Sequence, residues 1–271
     1  MRERGLAGAA LTALALLLAA PSVALAQIPP PSHPLPPPPA DPRNITGVWQ
    51  VVKPIFIIVH YQPSGAPAPV DLRDRVLWPN LDKDLPPFNA AGKKLFDERY
   101  TAKINNNPYA DPSTNCVPHG IPRMMIAPYP MQMVQTPGLV TMMFETNHNI
   151  RLIHLDQKMP KHVPHTPLGY SVGHWEGDTL VIETTGLMGD SIIDELGTPQ
   201  STSMHTTERL RKIDGGIMED MVTLDDPVYY TKPWTARVHL QWRPDLQLQE
   251  YVCEENNRNI AVDGKATATI K

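Results

Sequence analysis

The stretch Trp234–Arg243, WTARVHLQWR, alternates apolar and polar side chains without a break. Successive side chains of a β-strand point to opposite faces, so this alternation predicts a strand with one apolar and one polar face. The apolar members are Trp234, Ala236, Val238, Leu240 and Trp242. The pattern leaves open which of the two faces points into the protein.

Similar runs, separated by turn residues such as Pro137-Gly138 and Gly177-Asp178, precede and follow this stretch. They predict about nine strands in sequential hairpins. A first β run begins at Gly47, and the nine strands follow it over 131–136, 139–146, 150–155, 169–175, 179–185, 205–213, 217–224, 235–243 and 246–253. One amphipathic helix is predicted near the front, with Asn89 as its cap and Asn105 at its end. We therefore expect a mainly β, antiparallel up-and-down barrel or a strongly curved sheet with one N-terminal helix.

The N-terminus predicts export from the cytoplasm. Arg2 and Arg4 precede an apolar run from Leu6 to Ala20, and Ala24-Leu25-Ala26 forms a small-x-small cleavage site. These are the three parts of a secretory signal peptide, so residues 1–26 are predicted to be removed. The run is short for a bilayer span, and no membrane insertion is expected after cleavage.

The segment Gln27–Pro42, QIPPPSHPLPPPPADP, favours an extended, disordered polyproline arm. Residues 43–271 then form a single β domain, which we expect in the periplasm or outside the cell. The formal net charge of −4 and the lack of a basic block argue against nucleic acid as a partner. The oligomeric state cannot be read from these features.

The two cysteines, Cys116 and Cys253, are predicted to form a disulfide, because an even pair in an oxidising compartment is typical of one. Two buried thiols or two metal ligands are the alternatives. A specific metal site is not expected, although His162 and His165 lie three apart in a loop. No cofactor is expected, because neither a Walker loop nor a dinucleotide fingerprint is present.

Several motifs carry a resemblance to known proteins. They are CVPHGIPR (116–123), GHWEGDTL (173–180), HTTER (205–209) and EYVCEENN (250–257). Together they resemble a large family of uncharacterised secreted bacterial proteins over nearly the whole mature chain, a family that implies no established reaction. Gly47-x-Trp49, at the start of the first strand, resembles the short lipocalin signature and implies a lipocalin-like barrel.

Four charged or titratable residues are candidates for chemistry. Glu145 and Arg151 flank a short loop, which would place them opposite each other as an ion pair or a ligand anchor. His205 and Arg209 lie four apart, on the same face of a predicted strand, while Glu208 points to the other face. His205 is a candidate general base, with Arg151 or Arg209 stabilising a developing oxyanion. A hydrogen-bonded structural role for His205 is the alternative.

Ligand contacts are predicted at Arg123, Met143 and Trp175, around an internal pocket of the barrel. Methionines suit an irregular pocket, although ordinary core packing is the alternative for most of them. The methionines concerned are Met124, Met125, Met131, Met133, Met142 and Met143.

Three hypotheses for the function follow. The first is an exported barrel that handles a small, partly apolar molecule. The second is a cofactor-independent lyase, isomerase or hydratase with a histidine base. The third is a structural envelope protein that docks through its proline arm.

Overall fold

The computed structural model describes residues 35–52, 86–104, 111, 113, 116–194, 196–214 and 216–253, and the backbone of two short strands between 260 and 267. The predicted signal peptide, the start of the proline arm and the continuation of the first β run to His60 lie outside the described residues.

The described elements are one α-helix, two single 3-10 turns and a series of β-strands. The helix α1 spans Ala90–Ile104, and the 3-10 turns span Arg123–Ile126 and Thr146–His148. The strands are β1 Gly47–Val51, β2 Met131–Thr136, β3 Leu139–Phe144, β4 Ile150–Leu155, β5 Tyr170–Glu176, β6 Thr179–Thr185, β7 Ser191–Ile192, β8 Pro199–Gln200, β9 His205–Lys212, β10 Ile217–Asp225, β11 Trp234–Trp242, β12 Ile260–Val262 and β13 Lys265–Thr267.

Nine of these strands close into a barrel in the order β1-β11-β10-β9-β6-β5-β4-β3-β2. The predicted mainly β barrel with one helix is therefore confirmed for the described residues. One neighbouring pair differs from the up-and-down expectation, because β4 and β5 run parallel with Ile153 opposite Ser171. A parallel pair needs a long return connection, and residues 156–169 provide it.

Strand β11 places its apolar face inside the barrel. Ala236, Val238 and Leu240 are each 1% exposed or less, whereas Arg237 and His239 lie on the outer face. Closing the sheet gives every strand one inner face, and apolar side chains from all sides fill it. Trp49 is fully buried in this core and donates from its indole nitrogen to the carbonyl of Ile45 at 2.9 Å.

The prediction of a final strand over residues 246–253 is wrong. β11 already pairs on both sides, with β10 and with β1, where Trp49 faces Trp242. Because barrel closure leaves no free edge there, residues 246–253 cross one end of the barrel instead. The amide of Gln249 donates to Oε2 of Glu145 at 2.8 Å, and Tyr251 packs edge-on against Tyr129 at 5.4 Å.

The predicted disulfide is confirmed, since Cys116 and Cys253 are bonded across a sequence separation of 137 residues. It joins the crossing C-terminal segment to the loop that precedes the turn Arg123–Ile126. Asn89 caps α1 as predicted, and its Oδ1 accepts from the amide of Gly92 at 2.9 Å.

The described part of the proline arm lies against the other end of the barrel. Nζ of Lys212, the last residue of β9, donates to the carbonyls of Pro39 at 2.7 Å and Asp41 at 2.6 Å. The indole nitrogen of Trp242 donates to the carbonyl of Pro36 at 3.1 Å. No helix within the described ranges is both long and apolar enough to cross a bilayer.

Candidate functional site

A polar cluster is buried inside the barrel around Arg151. Side chains of β4 point alternately out of and into the barrel, and Arg151 is one of those that point inward. Its side chain is 1% exposed. Its guanidinium holds both carboxylate oxygens of Glu208, which is fully buried on β9. It also donates to Oγ of Ser171 at 3.1 Å and to Oγ1 of Thr184 at 2.8 Å. The guanidinium N–H groups of Arg151 are thus hydrogen-bonded to acceptors within the core.

Asp220, on β10, extends this cluster with a second buried carboxyl group. It is fully buried, and neither carboxyl oxygen has a hydrogen-bond donor in the described structure. Burial, together with the negative charge of Glu208, raises the pKa of Asp220 well above its usual range. The raised pKa favours the protonated form of Asp220 in the barrel interior, and a protonated carboxyl group is able to donate to a neighbouring carboxylate.

Glu208 and Asp220 were not predicted from the sequence as members of this cluster. A signal was present, because each occupies a position that alternation assigns to the apolar face of its strand. Asp220 lies between Met218 and Val222 on the same face of β10, and both of these apolar residues are buried. A carboxyl group among buried apolar residues needs a polar or charged partner inside the barrel. For Glu208 this partner is Arg151, which lies on a strand distant in the sequence.

The expected ion pair between Glu145 and Arg151 is wrong. The register of β3 and β4 places Met142, not Glu145, opposite Arg151. Glu145 instead is the N-cap residue that precedes the 3-10 turn before β4, and it accepts from the amide of Gln249. A turn of this length moves Glu145 past the end of the ladder, so the two charges meet different partners.

His205 and Arg209 lie on the outer face of β9, while Glu208 points inward. The predicted alternation of these three residues is therefore confirmed. Arg209 is half-exposed and pairs with Glu176 at 2.9 Å. Hydrogen bonds from Arg209 and His174 lower the pKa of Glu176. The roles of His205 and Arg209 in catalysis stay predictions.

The three predicted ligand contacts lie in three different surroundings. Arg123 is buried and forms a bidentate ion pair with Asp111, with N–O distances of 2.9 and 3.1 Å. Although burial acts against it, the positive charge of Arg123 lowers the pKa of Asp111. Trp175 packs against the core near one barrel end, with the Arg43 guanidinium over its ring at 5.9 Å. Met143 points outward beside Ile150.

A pocket of about 370 Å³ lies in the barrel wall where β4 and β5 separate. We call it the seam pocket. The inward methionines, by contrast, are fully buried in the core: Met124, Met125, Met131, Met133 and Met142. The seam pocket is lined by Pro118, residues 149–152, His154 and residues 166–170. The seam pocket thus lies in the barrel wall, and the pocket predicted inside the barrel stays a prediction.

The walls of the seam pocket combine apolar and aromatic surface. Ile150 and Leu152 are 57% and 44% exposed, which is high for large apolar side chains in a strand. His154 and Tyr170 stack at 4.8 Å with their rings 13° apart. Asn149 and Thr166 add polar groups to the lining. Such a mixture suits a molecule with an apolar body and a few polar groups.

Metal binding has no geometric support in the described ranges, where no group of three or more His, Cys, Asp and Glu side chains could hold an ion. In the histidine-containing loop, Nδ1 of His165 lies 3.0 Å from the carbonyl of Leu187.

Comparison with protein-family models, curated proteins and solved structures finds no match for this chain. The resemblance to a family of secreted bacterial proteins therefore stays a prediction.

Proposed function

We propose that this protein is an exported β-barrel that binds a small, partly apolar molecule in the seam pocket. The observation that carries the proposal is the exposure of Ile150 and Leu152 beside a cavity of about 370 Å³. Outward-facing positions on a solvated barrel wall are normally polar, and an exposed apolar patch next to a concavity is typical of a binding site.

The stacked pair of His154 and Tyr170 gives the pocket a flat aromatic wall. A planar or aliphatic group can pack on such a surface, and aromatic contacts contribute about 0.5–1.5 kcal/mol beyond the area that they bury. The polar groups of Asn149 and Thr166 in the lining would orient the ligand.

The export part of the proposal rests on the N-terminal signal-peptide pattern and on the disulfide. Disulfides persist in oxidising compartments and are rare in reducing cytosol, so Cys116–Cys253 supports a location outside the cytoplasm.

The test is the binding of a panel of small apolar and aromatic compounds to the mature protein, followed by titration of the tightest binder. We expect saturable binding that Tyr170→Ala weakens about tenfold, because this change removes the aromatic wall. Ile150→Ser should weaken binding as well. Val228→Ser is the matched control, since Val228 is a 44% exposed apolar residue outside the pocket lining.

Failure of the whole panel to saturate would contradict the proposal. Equal affinities in the Tyr170→Ala, Ile150→Ser and Val228→Ser proteins would contradict the assignment to this pocket.

A further inference from the structure

The start of β4 presents an open main-chain edge to the seam pocket. The amide of Leu155 donates to the carbonyl of Gly138, and the amide of Phe144 donates to the carbonyl of Asn149, both at 2.9 Å. Hydrogen-bonding direction alternates along an antiparallel ladder. Residues 151, 153 and 155 therefore bond to β3, while the main-chain groups of Ile150 and Leu152 face away from it.

On that opposite side, β5 pairs with β4 only from Ile153 onward, through Ile153, His154 and Leu155. Among the described residues, no strand pairs with Ile150 or Leu152 from this side. The amides of both residues and the carbonyl of Ile150 are therefore directed at the seam pocket, which these residues line.

The chain that precedes β5 is held away from this edge. Gly169 has a φ of +63° and turns the chain just before β5. Thr166 is tied elsewhere, because its amide donates to the carbonyl of Gly186 and its carbonyl accepts from the amide of Met188, both at 2.9 Å. The carbonyl of Pro167 accepts from the amide of Ile121 at 3.1 Å. The main-chain groups of Thr166 and Pro167 thus bond elsewhere, and among the described residues no strand fills the gap beside Ile150 and Leu152.

From this edge we propose that the ligand of the seam pocket is a short extended peptide, which adds as a strand beside Ile150–Leu152. The inference rests on the proposed function, since it takes the same pocket. An extended peptide offers alternating carbonyl and amide groups that match those of the open edge, and this is how sheet edges bind peptides. At about 3.3 Å per residue, the free stretch of β4 pairs with roughly three peptide residues, or about 10 Å.

The exposed side chains on the same edge define the peptide further. Ile150 and Leu152 point to the outer face, where the side chains at every second peptide position would pack beside them. The His154–Tyr170 stack closes the end of the gap where β5 begins. The peptide therefore carries apolar or aromatic residues at alternate positions. The protein recognises both the backbone and the side chains of the peptide.

The test uses a pool of blocked pentapeptides with alternating apolar and polar residues, incubated with the mature disulfide-bonded protein. Bound peptides are identified by mass spectrometry after removal of the unbound pool. The matched ligand control is each retained peptide with its alternate backbone amides N-methylated, which keeps the side chains but removes the edge-pairing donors. We expect retention of unmodified peptides and about a tenfold or greater loss of affinity on N-methylation.

Amide hydrogen exchange followed residue by residue gives the second readout. We expect the peptide to slow exchange of the Ile150 and Leu152 amides about tenfold, because it bonds to them. The Ile153 amide is the internal control, since it already faces β3 and should be unchanged. Peptide binding that leaves the amides of Ile150 and Leu152 unprotected, or that tolerates N-methylation, overturns strand addition.

The two proposals fail in different ways. Saturable binding of small apolar compounds, sensitive to Tyr170→Ala, without retention of any peptide would overturn the peptide inference and leave the proposed function standing. Absence of both kinds of binding would overturn both.

Discussion

Arg151, Glu208 and Asp220 are buried together inside the barrel, where water cannot screen their charges. A buried ion pair contributes little net stability relative to apolar residues, but the loss of one partner leaves the other charge uncompensated. Single substitutions in this cluster should therefore change the free energy of unfolding strongly, and in opposite directions for Arg151 and Asp220.

Arg151→Met should destabilise the protein by about 3–5 kcal/mol, because Glu208 then loses its bidentate partner in the core. The double change Arg151→Met with Glu208→Gln should recover much of this loss, since it removes the isolated charge. Urea denaturation of the single and double variants measures the coupling. Additive losses in the double variant would show that the two residues do not act as a pair.

Asp220→Asn should stabilise the protein near neutral pH by about 1–3 kcal/mol, because an amide can donate to Glu208 without carrying a charge. Burial and the charge of Glu208 raise the pKa of Asp220 above that of the unfolded chain, so folding favours the protonated carboxyl group. This contribution to stability is fully present below about pH 4 and is lost as pH rises toward the folded pKa.

Unfolding free energies measured between acidic and neutral pH check this sign. The variant should gain most at neutral pH and least in acid. The matched control is Asp226→Asn, which should destabilise, because the buried Asp226 carboxylate accepts from the amide and hydroxyl of Ser201, each at 2.7 Å. Identical pH slopes for the Asp220→Asn and unsubstituted proteins would contradict the raised pKa of Asp220.

At the scale of the elements, closure of the barrel depends on the packing of β1 against β11. Gly47 has a φ of +145°, and a Cβ there would lie 1.9 Å from the Trp242 ring. Trp242 in turn packs edge-on against Trp49 at 5.2 Å. The glycine of the Gly47-x-Trp49 motif thus provides space for the tryptophan of the closing strand.

Gly47→Ala should destabilise the barrel by about 1–3 kcal/mol or more, through backbone strain and the clash with Trp242. Gly138→Ala, in the turn between β2 and β3, serves as the control. It shares the positive φ, at +78°, but a Cβ there meets nothing within 4 Å. Thermal unfolding should show the larger loss for Gly47→Ala, and equal losses would mean that backbone strain alone accounts for the effect.

At the scale of the whole molecule, the disulfide holds the C-terminal segment across one barrel end, while Lys212 and Trp242 hold the proline arm at the other. Replacement of both Cys116 and Cys253 by serine should lower the free energy of unfolding by about 2–5 kcal/mol, because the unfolded chain loses a long covalent loop. Reductant should destabilise the unsubstituted protein by a similar amount and leave the double variant unchanged. A reductant effect of equal size in both proteins would contradict this origin.

Local patterns in the sequence were sufficient to predict most of the strands, the Asn89 cap and the opposite orientations of Glu208 and Arg209. These features depend on the two-residue period of a strand and on capping, and both act between near neighbours in the chain. The disulfide was also predictable, because the sequence contains only two cysteines and its N-terminal pattern predicts export to an oxidising compartment.

Only the tertiary structure decided which face of Trp234–Trp242 points inward, that Arg151 pairs with Glu208 and not Glu145, and that residues 246–253 leave the sheet. Each of these depends on which distant strands become neighbours when the barrel closes. The seam pocket likewise exists because β4 and β5 pair in parallel over only part of their length. Side-chain alternation within a strand carries no information about that register. The register depends on closure of the barrel and on the hydrogen bonds that Thr166 and Pro167 make away from β4.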